Sequence, residues 1–231
     1  MDSSPHHAFQ EAPVLFQKIR QLNIDLLSVG KGTISLLRNA ENTDSVYDIE
    51  DGLRSTKAMA LAVEYVKRDE AIARLFEERY IAPPPDLDAL LKLPPDSLGY
   101  IYASTLTAAG FDPNFYRKVE VTDDITYMLL RLRQTHDIWH LVTGFETSVF
   151  GELGLKAFEL AQTRRPMSIV LICGGLLKTL TDAPESLDGI LNDLSKGYRM
   201  GMTAKPFLAQ KWEEHWERPL SDWRQELGIA C

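Results

Sequence analysis

Only two cysteines occur among 231 residues, so the chain has no disulfide framework. Cys173 lies in an apolar run and Cys231 ends the chain; two thiols so differently placed point to a reducing compartment. No apolar run is long enough to cross a bilayer. The longest, Met167 to Leu177, falls well short of the roughly 20 residues required and contains Gly174 and Gly175. Positive charge is also short, with 25 Lys+Arg against 33 Asp+Glu and a net charge of −8. This excludes a long-range basic footprint for nucleic acid. It also excludes simple electrostatic adhesion to anionic lipid, so any membrane contact must rest on an apolar patch or a protein partner. Internal repeats, low-complexity tracts and sustained period-two alternation are missing, and strands are therefore not expected. The opening Met-Asp-Ser-Ser-Pro-His-His lacks a secretory or mitochondrial targeting pattern. The expectation is a cytoplasmic protein, at most peripheral on the inner face of the plasma membrane. Histidine is scarce as well, with five in all, and the functional argument turns on two of them.

What is present is ordinary for a globular chain: 45% hydrophobic and 25% charged residues. Apolar spacing near 3.6 residues predicts an all-α fold. Residues 1–12 are expected to be a disordered tail and 13–231 a single helical domain. Phe16, Ile19, Leu22, Leu26 and Leu27 predict a helix within 14–38, broken at Gly30 and Gly32. Further helices are expected over about 44–67, 69–80, 86–93 and 97–109. Ser97 would cap the last of these and Gly110 would close it. A connector through Pro113 leads to a helix opened by Thr122 or Asp123. Helices over about 148–163, 166–180 and 185–198 follow. Pro206 and Pro219 then open two terminal helices, the first containing Trp212 and Trp216. The run Met167–Leu177 is apolar all round and reads as a buried central helix.

His136 and His140 stand at i and i+4, which stacks both rings on one helix face about 6 Å apart at the base. A helix presents two nitrogen ligands to one metal in this way. Asp137 lies about 100° round the helix; it could ligate from the side or orient a ligand. On one unbroken helix Glu152 would lie about 18 Å beyond His140. It joins the site only if the chain reverses, and Gly144 is the place for that, with Thr147 or Ser148 capping the next helix. An αα-hairpin would then carry the metal site. The plainer alternative is a chance spacing of histidines, with Glu152 paired to Lys156 one turn on. His215, among Glu213, Glu214 and Glu217, reads as part of a solvated face, and His6 and His7 as inert tail residues. Zinc suits two imidazoles with carboxylates; magnesium, iron or manganese could take the same ligands.

The pattern His136-Asp137-x-x-His140, eleven residues, then Glu152, resembles the motif of the Coq-four family of ubiquinone (coenzyme Q) biosynthesis proteins. Flanking residues agree: Asp96-Ser97-Leu98-Gly99, Gly110-Phe111-Asp112-Pro113, Thr122-Asp123-Asp124, Gly151-Glu152-Leu153 through Glu159, and Trp212 through Leu220. The resemblance covers roughly 45–228. It implies an all-α fold and a divalent metal, usually taken to be zinc, at His136, Asp137, His140 and Glu152. It implies removal of the C1 carboxylate of a polyprenylated benzenoid, coupled to hydroxylation there. It also implies contact with membranes and with other quinone-biosynthesis proteins; a homodimer is expected. Eukaryotic members carry a mitochondrial presequence, so a chain opening like this one is expected to be a bacterial-type member. Arg164 and Arg165, before a helix N-terminus, could hold an anionic head group or be plain surface charges. Gly174 and Gly175 would make room for an isoprenoid tail.

Three readings follow: a metal-dependent lyase, a non-catalytic prenyl-lipid scaffold with a structural metal, and a metal-dependent hydrolase. The last needs further His and Asp ligands that the sequence scarcely offers. H-E-x-x-H proteolysis is disfavoured because Asp137, one methylene shorter, stands where the glutamate would.

Overall fold

The structure is a computed structural model and describes residues 43–113 and 118–229. The expected tail over 1–12, the boundary at 13 and the helix within 14–38 lie outside the described residues, as do His6, His7 and Cys231. The chain divides into two compact units, Met1–Thr56 and Lys57–Cys231.

In the first unit the described part is helix α1, Thr43–Arg54. It ends where both the amide and the hydroxyl of Thr56 turn back to donate to the Leu53 carbonyl. The helix expected over 44–67 is thereby broken in two. Self-bonding by a threonine hydroxyl competes with the helical ladder at this point.

The second unit opens with α2 (Lys57–Val66), α3 (Glu70–Glu78), the single turn α4 (Leu87–Leu90) and α5 (Leu98–Ala109). It continues with α6 (Asp124–Thr143), α7 (Val149–Thr163), α8 (Pro166–Asp182), α9 (Leu187–Thr203) and α10 (Leu220–Leu227). Among the described residues there is no strand, only an isolated bridge between Ser97 and Pro219. The fold is all-α, as expected. The caps follow the local chemistry. Asp69, Asp86, Ser97, Asp123 and Ser148 each accept a backbone N–H of the helix they open. Gly110 and Gly144 take left-handed φ values of 68° and 77° where α5 and α6 stop.

Helix α6 is fixed at three levels. Its first turn is held by Lys67 and Arg79, which bond the two oxygens of Asp124 at 2.5 and 2.6 Å. At mid-height the fully buried Arg131 makes a two-pronged pair with Glu213, at 2.9 and 3.2 Å, and also bonds the Gln210 carbonyl. At its end Arg224 of α10 donates to the carbonyls of Leu141 and Val142, which have no partner within the helix. Beside these ties Trp139, Phe158, Phe207, Trp212 and Trp223 form a chain of edge-on and tilted rings with centroids 4.6–5.9 Å apart.

Two expectations are corrected. The helix expected after Pro206 is replaced by short 3-10 turns at Phe207–Ala209 and Trp212–Glu214. Arg131 takes the Gln210 carbonyl and the Glu213 carboxylate, and Trp212 turns fully into the core, so a regular helix cannot continue there. The acidic run is accordingly not all solvated face: Glu213 is buried against Arg131, whereas the His215 side chain is exposed. The second correction concerns α8. It is not buried all round, because Ile169, Leu177 and Leu180 are 47%, 54% and 53% exposed. Its other side, with Met167, Ser168 and Thr179, is covered.

Helices α7 and α9 approach backbone to backbone. A Cβ at Gly197 would fall on the Gly154 carbonyl oxygen, whereas one at Gly174 would meet nothing within 4 Å. Gly197→Ala should therefore lower stability by about 1–3 kcal/mol through overpacking. Gly174→Ala should be neutral or stabilising by up to about 1 kcal/mol through helix propensity. Urea unfolding of the two variants checks this, and equal effects would contradict the packing.

Candidate metal centre

The site is built where α6 ends. His136 and His140 lie one turn apart on it, with ring centroids 4.8 Å apart and planes 84° to each other. Gly144 then reverses the chain, and its amide donates to the His140 carbonyl. Ser148 caps α7, whose first turn holds Glu152. This is the hairpin that the spacing required. Glu152 Oε1 lies 3.0 Å from His140 Nε2, and Oε2 lies 3.7 Å from His136 Nε2. One ligand atom from each residue falls within 4.8 Å of the other two. His140 is buried, and the Glu152 side chain is 38% exposed, so the cluster opens on one side.

The protonation of His140 can be reasoned out. Its Nδ1 is 2.8 Å from the Phe145 carbonyl, which can only accept, so Nδ1 carries the proton. In the neutral ring Nε2 then presents a lone pair. That atom is buried and has no aligned hydrogen-bond partner, although a carboxylate oxygen stands 3.0 Å away. Two electron-rich atoms facing at that distance call for a cation between or beside them, a proton on the ring or a metal ion. Two imidazoles and a carboxylate are a donor set for a divalent ion, and three protein ligands leave a position open. The residues therefore fit the metal that the motif implies. The Phe145 carbonyl fixes the ring orientation, as partners of metal-binding histidines commonly do.

The electrostatics agree. Burial pushes the Glu152 carboxyl up, but the imidazoles when protonated toward it, together with Lys156, outweigh this and hold it far below the usual carboxylate range, so the carboxylate is ionised and ready for a cation. Burial, then the Lys156 charge, pushes His136 below its ordinary value and favours the neutral, ligating ring.

Asp137 does not join the three. Its charge acts instead on the buried Tyr102 hydroxyl of α5, which burial and then Asp137 push well up. Of the four expected residues, three bring their ligand atoms together: His136, His140 and Glu152. Arg165 is not a surface charge: it is buried and pairs with Glu159 at 3.0 Å. Arg164 is exposed and lies over the Tyr65 ring at 4.0 Å. Gly175 makes room for Leu153 of α7 and not for a ligand, while Gly174 has open space beside it.

Sequence reasoning missed a second layer. Lys156 does not pair with Glu152 but donates to Glu159 at 3.0 Å, and Ser168 donates to the same carboxylate. Burial raises Glu159, but Lys156 and Arg165 more than offset this and bring it to about 2. The signal was present as Glu152, Lys156 and Glu159 at i, i+4 and i+7, one face of α7.

Comparisons with known proteins agree with this geometry. A family model described as coenzyme Q (ubiquinone) biosynthesis protein Coq4 matches residues 17–231. A mitochondrial ubiquinone biosynthesis protein COQ4 of Zygosaccharomyces rouxii is 31% identical over 199 residues, 80% of this chain and 59% of that protein. One of Uncinocarpus reesii is 35% identical over 147 residues, 62% of this chain and 51% of that protein. The chain thus spans about half to three fifths of the length of these relatives. The crystal structure of a candidate ubiquinone biosynthesis protein from Nostoc punctiforme superposes with a TM-score of 0.82 at 39% identity. That match covers 90% of this chain and 98% of the other.

Two outcomes are expected. Glu152→Ala should lower metal affinity roughly 10-fold or more; unchanged metal content after dialysis would contradict the three-residue site. Glu159 is ionised more readily in the fold than its ordinary value of 4.5 allows. Its stabilising effect is therefore complete above that value and is lost as pH falls toward 2. Urea midpoints at pH 7 and pH 3 should differ less in Glu159→Gln than in the wild type.

Proposed function

The chain belongs to the Coq4 family of coenzyme Q (ubiquinone) biosynthesis proteins, and we propose that it is a metal-dependent decarboxylase of that synthesis. Its substrate would be a prenylated 4-hydroxybenzoate-type intermediate, which loses its C1 carboxylate as CO2 and gains a hydroxyl at the same carbon. The ring gives up two electrons to dioxygen, so that the acid, O2 and water give the phenol, CO2 and hydrogen peroxide. The observation that carries the reading is the buried Nε2 of His140 facing the Glu152 carboxylate with no aligned partner.

The chain's own residues divide the work. Phe145 holds His140 in one tautomer. Burial lowers the pKa of His136 and favours its neutral ring. Glu152 stays ionised and leaves one side of the cluster open to a substrate oxygen. His136, His140 and Glu152 would hold a divalent ion, zinc by the donor set, which would supply a Lewis acid for the negative charge developing on the ring. The buried surroundings restrict water and strengthen these interactions.

For the isoprenoid tail and a membrane surface the support is an apolar exposure on α8 and α9: Ile169, Leu177, Leu180, Leu191, Tyr198 and Met202. Among the described residues no helix is long and apolar enough to cross a membrane. Such a face also suits a second copy of the chain or other proteins of quinone synthesis.

The test is metal analysis of the purified protein, then incubation with 3-prenyl-4-hydroxybenzoate under dioxygen. Wild type should release CO2, and His140→Ala should lose both metal and CO2 release. Wild type that holds metal and binds the prenyl compound without releasing CO2 would overturn the decarboxylase reading and leave the scaffold reading.

A further inference from the structure

Lys156 is out of place in a site built only to hold a cation. Its side chain is 12% exposed. It stands one turn after Glu152 on α7, where side chains at i and i+4 are neighbours on one face. An ammonium beside metal ligands repels the metal, so a structural metal site gains nothing from it. The lysine is nonetheless held in place. Glu159 Oε2 accepts one of its protons at 3.0 Å, while Oε1 is held by Arg165 and Ser168, both at 3.0 Å. Glu159 divides its charge between two cations and compensates Lys156 only in part. An ammonium has three donors, and Glu159 is the hydrogen-bond partner of Lys156 among the described residues. Donors remain for a ligand on the helix face that carries Glu152 one turn earlier.

We propose that Lys156 is the anion-binding residue of this site, donating to a carboxylate of an aromatic substrate whose other contacts are made at the His136–His140–Glu152 cluster. Glu159, Arg165 and Ser168 are positioning residues that hold the ammonium in place. The proposal rests on the function proposed above and sharpens its substrate class: the ligand must be an anion at the ring, and a neutral phenol is not enough. It also explains why the buried Glu159 cluster adjoins the metal site. Without the carboxylate the ammonium would lose that anchor.

The test uses the full chain loaded with zinc and measures binding, not turnover. Isothermal titration compares 3-prenyl-4-hydroxybenzoate with its carboxamide, which has the same shape and no charge. Wild type should bind the carboxylate more tightly than the carboxamide. Lys156→Gln, whose amide can still donate to Glu159, should weaken the carboxylate roughly 10-fold or more. It should leave the carboxamide and the zinc content unchanged. Lys156→Arg should keep most of the preference. Equal losses for both ligands, or no loss for the carboxylate, would overturn the proposal. So would a Lys156→Gln protein that circular dichroism shows unfolded, since the lysine would then belong to the fold. The two readings fail separately. A Lys156-dependent preference without CO2 release would leave the anion site and remove the decarboxylase. CO2 release with carboxylate affinity indifferent to Lys156 would do the reverse.

Discussion

The hydrogen bond from His140 Nδ1 to the Phe145 carbonyl joins fold to chemistry. It is 2.8 Å long and spans the reversal at Gly144. It orients one ring, sets which nitrogen carries the proton, and so aims a lone pair at the carboxylate that the reversal delivers. Without it the imidazole could turn over, and Glu152 would face an ordinary N–H donor. The geometry that invites a cation depends on a backbone carbonyl.

Much of the unit serves to keep that carbonyl and that ring in register. Arg224 holds the last carbonyls of α6, Arg131 holds its middle, and Lys67 and Arg79 hold its start. On the far side of the hairpin, α7 is locked to α9 at the Gly154–Gly197 contact. The two arms of the site are therefore fixed to different neighbours, and their separation is not left to the short connection between them. Such support from rigid elements is what a catalytic geometry needs.

The all-α class, the caps at Ser97, Asp123 and Ser148, and the reversal at Gly144 were legible in the sequence because each depends on local chemistry. So was the meeting of His136, His140 and Glu152, once helix length made a reversal obligatory. The rest depends on partners distant in sequence. Arg131 meets Glu213 across 82 positions, and that pairing undoes the helix expected after Pro206. The exposure of α8 was illegible because an apolar run looks the same whether it faces a core or another surface. The plainer alternative, Lys156 paired with Glu152, gives way because Arg165 folds back to share Glu159 with Lys156, and nothing local shows that. Asp137 lay beside the first histidine in sequence, but adjacency on a helix is a 100° rotation, and it is not among the three residues whose ligand atoms meet.

The most direct measurement is 15N NMR of the imidazole nitrogens during zinc addition to the full chain. His140 Nδ1 should be protonated throughout, and zinc should shift Nε2 of both His136 and His140. In Glu152→Ala the same shifts should need more zinc. A His140 protonated at Nε2, or shifts confined to one ring, would contradict a metal centre shared by the three residues.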